Sequence, residues 1–371
     1  MAVLGGTGMA WGTTADVAAA AGAIEYVTSP VKNGAYALRT NPTTVDTGYI
    51  EVRRYGTNGT AADLGLAVAR GKFDWRYALK PASNDEPILA TNGTKPSVRV
   101  NSSGNLVLYD STGTAVATGS TVLAQDTWYS IGFQWGQNTA TATITIDGVT
   151  EITNASVNCG SGNTARLRYG KASNANSNSV DFFYDNVIID DAVLPDKDAA
   201  VLSTIPASDI STTGFTPSTG VTLYGCIDDI PLSDTDYVVS SGTANDTFLC
   251  GVASCDSRSI PTGATFLAVL FQGRHRDSVS SAASNTVLNV KSSSTTVSTT
   301  GRDATASSST AGLMLTTDPA TSAAWTRSGI DGVQLGMTET VAIAERVTGM
   351  IAQVFYVPPS FTLPPFISIV S

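Results

Sequence analysis

Apolar and polar residues alternate with a period of two through most of the chain from Ala35 to Asp190. That spacing puts one face of a strand in a core and the other in solvent. "AYALRT" and "GYIEVRRY" both carry it. "SVRVNSSGNLVLYDSTGTAVATG" reads as three strands with turns at Asn101–Gly104 and Asp110–Gly113. "TWYSIGFQWGQNTATATITIDGVTEI" gives two long strands, then a hairpin at Asp147-Gly148, a pair suited to a type I′ turn because both positions need positive φ. "RLRYG" and "VDFFYDNVIIDD" complete the set. Antiparallel strands of this length, apolar on one face, stack as two sheets.

Past Asp190 the pattern lapses into Asp, Ser, Thr and Pro, which predicts a linker over 201–218. A second set of strands then runs over 219–357, from "VTLYGCIDDI" to "VTGMIAQVFYV". Within it, Ser292–Thr310 is too polar to pack and reads as an exposed strand pair or loop. The strongest helix signal lies in "LTTDPATSAAWTRSGIDGVQLGMT". There Thr326 is the candidate N-cap, with Trp325 and Ile330 as a hydrophobic staple around it. Gly329 and Gly332 limit the helix to a turn or two, and Arg327 is expected to face solvent. The expected fold is all-β: two β-sandwich (jelly-roll) domains in tandem, residues 1–200 and 219–357. The second has a short helix near residues 326–334, and an extended proline-rich C-terminal arm follows over 358–371.

Composition narrows the function. Charged residues are only 14 % of the chain, against roughly 25 % in ordinary soluble proteins. Ser, Thr, Gly and Asn fill the gap, as short strands and tight turns require. A net charge of -10 and the lack of any dense Lys/Arg block argue against nucleic-acid binding. No apolar run approaches the ~18 residues of a membrane span. "MAVLGGTGMAWG" lacks the basic and apolar regions of a signal peptide. Cys159, Cys226, Cys250 and Cys255 are irregularly spaced and read as buried thiols, with a bridge from Cys226 to Cys250 or Cys255 left open.

Catalytic patterns are weak. The E-x-D-x-x-E arrangement that glucanases on this architecture use to flank a glycosidic bond is absent. The single histidine, His275, sits between Arg274 and Arg276, and no G-x-S-x-G elbow supplies a nucleophile for it. No catalytic residue and no cofactor is therefore assigned. "DFFYDNVIIDD" offers Asp181, Asp185 and Asp190 as candidate Ca²⁺ ligands, since hard oxygen donors suit that ion. For carbohydrate or partner contact the candidates are Trp75, Trp128, Trp135 and Tyr109. Trp128 reads as core, and Trp135, seven residues on, then falls on the opposite face and is the better candidate for exposure.

The cues occur in a recognisable order: K-x-G-x-Y-A-L-R from Lys32, N-L-x-L-Y-D from Asn105, T-W-Y from Thr127, I-D-G from Ile146 and D-F-F-Y-D-N-V from Asp181. In this the first half resembles a LamG-like, concanavalin A-type jelly-roll domain, in the version found in tailed-bacteriophage virion proteins. "YGCIDDIPLSDTDYVVSS" and "TTDPATSAAWTRSGIDGVQLGMT" resemble the domain that follows it in such proteins. The resemblance implies a non-enzymatic component of the head, neck or collar, or tail, made in the host cytoplasm without a signal peptide. It would pack against other virion proteins and copies of itself. Phe361 and Phe366 would anchor the arm on a neighbouring subunit. A host-surface glycan-binding adhesin is the alternative, and a polysaccharide-degrading enzyme a remote one.

Overall fold

The computed structural model describes residues 3–7, 17–19, 24–34, 37–42, 48–52, 54–55, 61–62, 66–91, 96–136, 140–154, 156–160, 163–164, 166–171, 179–190, 192–229, 235–277, 285–301 and 309–359. Their regular secondary structure is nearly all β, and they form β-sandwiches in tandem. In the first, one sheet runs Val149–Asn154, Ala142–Ile146, Tyr129–Gly136, Val68–Leu79, Asp181–Asp190, Ala37–Thr40, Ile24–Val27, with Val3–Thr7 also on Asp181–Asp190. The facing sheet runs Ala115–Thr118, Leu106–Tyr109, Ser97–Val100, Glu86–Thr91, Leu167–Lys171, Gly48–Val52, Val17–Ala19. Alternation sends Phe73, Trp75 and Tyr77 from one strand, and Ile131, Phe133 and Trp135 from its neighbour, into one core. Phe73 meets Tyr169 edge-on at 5.1 Å, and Trp75 meets Phe182 at 5.4 Å, the tilted geometry aromatic rings prefer.

The second sandwich has a six-stranded sheet built on the long pair Thr265–Asp277 and Glu345–Val357. Its five-stranded partner runs Pro206–Thr213, Thr247–Val252, Gln334–Glu339, Thr286–Ser292, Thr295–Ser298. The predicted linker over 201–218 is corrected here. Ala200–Thr204 pairs with Glu345–Val357, Pro206–Thr213 with Thr247–Val252, and Phe215–Pro217 with Val238–Ser240. The stretch looked like a linker because Pro206–Thr213 lies at a sheet edge with every residue after Pro206 exposed, so its composition follows solvent. Within the polar run Ser292–Thr310, Thr295–Ser298 continues that same sheet, and residues 302–308 lie outside the described residues.

Between the two large cores lies a smaller one made of Ile188, Ala199, Val201, Ala268, Leu270 and Phe355. Ile188 comes from the first sandwich, and Ala268, Leu270 and Phe355 come from the six-stranded sheet of the second. Apolar packing therefore continues across the seam between the two halves.

Candidate functional site

The densest buried polar chemistry in the described residues lies beside that small core. Val68–Leu79 and Asp181–Asp190 pair with Asp185 opposite Asp74, and then the register jumps to Ile188 opposite Lys72. The bulge leaves Asn186 at φ +45°, a left-handed conformation that Asn tolerates better than most residues. Its fully buried side chain bridges the two halves: Nδ2 donates to Asp74 Oδ2 at 2.7 Å, and Oδ1 accepts from Val201 N at 2.9 Å. Lys72, 1 % exposed, donates to Asp74 Oδ1 at 3.2 Å and to the Lys197 carbonyl at 3.3 Å. Burial pulls its pKa down, and the Asp74 carboxylate opposes that pull.

Asp185 completes the network. Its Oδ2 accepts from Lys32 N at 3.0 Å and Asn33 N at 2.9 Å, and its Oδ1 from Asn186 N at 2.7 Å. Burial pushes its carboxyl up to about 7; the N–H donors hold it down and nearby Asp74 pushes the same way as burial. The loop it grips touches the second sandwich: a Cβ on Gly34 would stand 2.9 Å from Leu202 Cδ2.

Residues 192–199 form a strap over the outer face of the first sandwich. Asp190 Oδ1 fixes its start by accepting from Ala192 N and Val193 N at 2.7 and 3.0 Å. The Lys197 stem lies over the hairpin turn, where a Cβ on Gly148 would stand 3.0 Å from its Cδ. Beside the strap opens a cleft of about 410 Å³, lined by Lys32, Asn33, Asp74, Ser130, Asp147, Lys197 and Pro358, among others. A second cleft of about 350 Å³ shares Ser130 and Lys197 with it. The walls carry both signs of charge, and the ionised groups at the base are already paired. The arrangement fixes shape and can take a polar group.

The Ca²⁺ candidates do not meet. Asp181 forms a two-bond pair with Arg39, at 2.7 and 2.8 Å, while Asp185 and Asp190 are held by backbone N–H groups. Asp181 and Asp190 end the same strand, so they lie about 30 Å apart at ~3.3 Å per residue. Among the described residues no three His, Cys, Asp or Glu side chains gather closely enough to hold an ion.

Trp135 is corrected from exposed to core. It is 1 % exposed and packs on Phe133 at 5.0 Å, whereas Trp128 precedes the strand and is half-buried. The alternation was counted from Trp128, which lies outside the strand and does not set its inward face. Trp75 is also fully buried. Tyr109 is half-buried, with the Arg99 guanidinium 3.8 Å above its ring and its hydroxyl donating to Asp85 at 2.8 Å. Phe361 and Phe366 lie outside the described residues.

The helix is one short turn, Arg327–Asp331, rather than 326–334. Thr326 caps it by accepting from Gly329 N at 3.0 Å, and Trp325 and Ile330 are both buried. Trp325 Nε1 donates to the Leu315 carbonyl at 2.9 Å. Arg327 does not simply face solvent: it pairs with Asp256 at 2.8 Å and donates to the Ile260 and Pro261 carbonyls. Asp331 accepts from Cys255 N at 2.7 Å. All four cysteines are free and buried, and burial pushes the Cys250 and Cys255 thiols up to about 12. His275 is fully buried against Glu345 at 2.7 Å.

Sequence reasoning missed Lys72 and Asp74, and it grouped Asn186 with the oxygen donors of "DFFYDNVIIDD" rather than with a bridge between the halves. The only available signal was "GKFDW", which places Lys72 and Asp74 on the face opposite Phe73 and Trp75.

No family model matches the chain, and no curated protein matches it. Solved structures resemble it distantly. The binding domain of Paraclostridial Mosquitocidal Protein 1 is 11 % identical with a TM-score of 0.35, over 66 % of this chain and 71 % of that one. A carbohydrate esterase, vb_24B_21, from the Shiga toxin-encoding bacteriophage phi24B is 13 % identical with a TM-score of 0.33, over 47 % and 89 %. The N-terminal CBM22-1-CBM22-2 tandem domain of Paenibacillus barcinonensis Xyn10C is 11 % identical with a TM-score of 0.26, over 95 % and 97 %. At these identities and scores the likeness carries no argument about what this chain does. No helix among the described residues is long and apolar enough to cross a membrane.

Proposed function

We propose that the chain is a non-enzymatic structural component of a tailed-phage virion, whose paired sandwiches pack against other virion proteins and copies of itself. The observation that supports this reading is the seam. Lys72, Asp74, Asp185 and Asn186 are all buried, and their hydrogen bonds fasten the loop, the strap and the first strand of the second sandwich. A buried ionic network of this kind specifies one relative placement of the parts it joins. A fixed spacing between two docking bodies is what an assembling particle requires. The motif order in both halves supports the same reading.

The test is quantitative mass spectrometry of density-gradient-purified particles of the encoding phage. A fixed copy number per particle is expected, and a particle without the chain overturns the reading. A second reading, a glycan-binding adhesin, draws on the outer face of the seven-stranded sheet. There Arg99 stacks on Tyr109, and Arg168 lies 4.7 Å over Tyr49, giving two planar cationic platforms. A glycan array probed with the purified chain separates the two, since the structural reading expects no retained sugar.

A further inference from the structure

The seam holds more than a salt bridge. Lys72, Asp74 and Asn186 bring together a primary amine, a carboxylate and a carboxamide, and none of the three is more than 2 % exposed. Asp74 joins the other two: its Oδ1 accepts from Lys72 Nζ at 3.2 Å and its Oδ2 from Asn186 Nδ2 at 2.7 Å. Strand register brings the same groups together. Asp185 lies opposite Asp74 and Ile188 opposite Lys72, so the bulge sets Asn186 across from the Lys72–Asp74 stretch. Among the described residues the far end of the second sandwich lacks this combination. There Glu345 meets His275, and Asp277, 5 % exposed, has no donor on either carboxylate oxygen.

Each environment favours attack of the amine on the amide. Asp74 sits where it can take a proton from Nζ and return one to Nδ2, the nitrogen that must leave. Asn186 Oδ1 accepts from Val201 N at 2.9 Å, so a backbone N–H already points at the oxygen on which negative charge develops. Burial lowers the Lys72 pKa, which brings the neutral, nucleophilic amine within reach. The reaction balances without a co-reactant. Nζ gives one proton to Asp74, its lone pair forms the Nζ–Cγ bond, and the carbonyl pair moves onto Oδ1. Collapse breaks Cγ–Nδ2 as Asp74 returns its proton to that nitrogen, and the remaining surplus proton on Nζ passes to Asp74. Amine and carboxamide thus become a secondary amide and ammonia, and the cleft that Asp74 lines gives the ammonia a way out.

We propose that Lys72 and Asn186 join in an isopeptide bond, formed within the folded chain while Asp74 carries the protons. The bond staples Val68–Leu79 to Asp181–Asp190, two neighbouring inner strands of one sheet. It keeps Asn186 Oδ1 on Val201 N, so the seam stays fastened. The reaction occurs once per chain and leaves no turnover, so it goes beyond the virion reading and does not depend on it.

The test is intact-mass spectrometry of the purified full chain, followed by tryptic mapping. The folded wild-type chain is expected to be lighter than its sequence by about 17 Da, the mass of the ammonia lost to the amine. Trypsin is expected to leave Lys72 uncut and to release residues 71–76 joined to residues 172–197. Lys72→Arg keeps the cation but forms no such amide, and Asp74→Asn cannot carry the proton. Both are expected to show the full mass and no linked peptide. If a variant does not fold, the wild-type peptide map decides alone. Four results overturn the proposal. The first is a folded wild-type chain at full mass, and the second a mass loss that persists in either variant. The third is the same loss without the linked peptide, as a succinimide at Asn33-Gly34 gives. The fourth is a linked peptide lighter by about 18 Da, the mass of water, which places the bond on an aspartate instead.

Discussion

The seam between the sandwiches and the far end of the second sandwich both bury acids, yet they resolve the cost differently. At the seam, Asp74 meets the Lys72 ammonium and the Asn186 amide, and Asp185 collects three backbone N–H groups. At the far end, Asp277 collects nothing. Burial alone therefore says little about an acid's role. A carboxylate whose partners come from separate parts of the chain fixes their arrangement, whereas one without a partner only adds to the cost of burial.

The sharpest way to break this contrast is Asp74→Ala. It strands the Lys72 ammonium in the seam, and a loss of about 3–5 kcal/mol is expected from denaturant unfolding. The curve should also split in two as the sandwiches uncouple. Asn186→Ala comes next: two hydrogen bonds go, and alanine is strained at positive φ, so a loss of about 1–3 kcal/mol is expected in the same measurement.

The Asp185 effect is read against pH. Its folded carboxyl, at about 7, lies above the ordinary value of 3.8, so the folded chain holds a proton that the unfolded chain releases. Its contribution is full below the unfolded value, falls as pH rises through the folded value, and then levels. The melting temperature of wild type minus that of Asp185→Asn should decline from about pH 4 to about pH 7 and flatten above it. A difference that rises over that window would contradict the burial argument.

Thr326→Ala is the smallest effect, about 1 kcal/mol from the lost cap. It lies outside the seam, so it should lower the midpoint without splitting the transition.

Local chemistry was legible in the sequence. Period-two alternation located the strands, Asp147 and Gly148 take the positive φ values of 50° and 80° that their turn needs, and Thr326 sits where a cap must sit. Non-local chemistry was not. A strand lysine such as Lys72 alternates outward and reads as solvated until a strap from elsewhere in the chain covers it. The parity counted from Trp128 to Trp135 does not say which face is inward. The stretch 201–218 has linker composition because an edge strand contacts only one neighbour. In each case the deciding partner is far away in sequence, and a local window cannot see it.

The strap also determines how the molecule can be divided. A first sandwich cut after Asp190 would lose the Lys197 carbonyl that Lys72 uses and the Val201 amide that Asn186 uses. A second sandwich begun after Thr204 would lose a strand of its six-stranded sheet. Residues 192–204 thus belong to both halves at once, and any recombination that swaps one sandwich must carry this segment together with the residues that receive it.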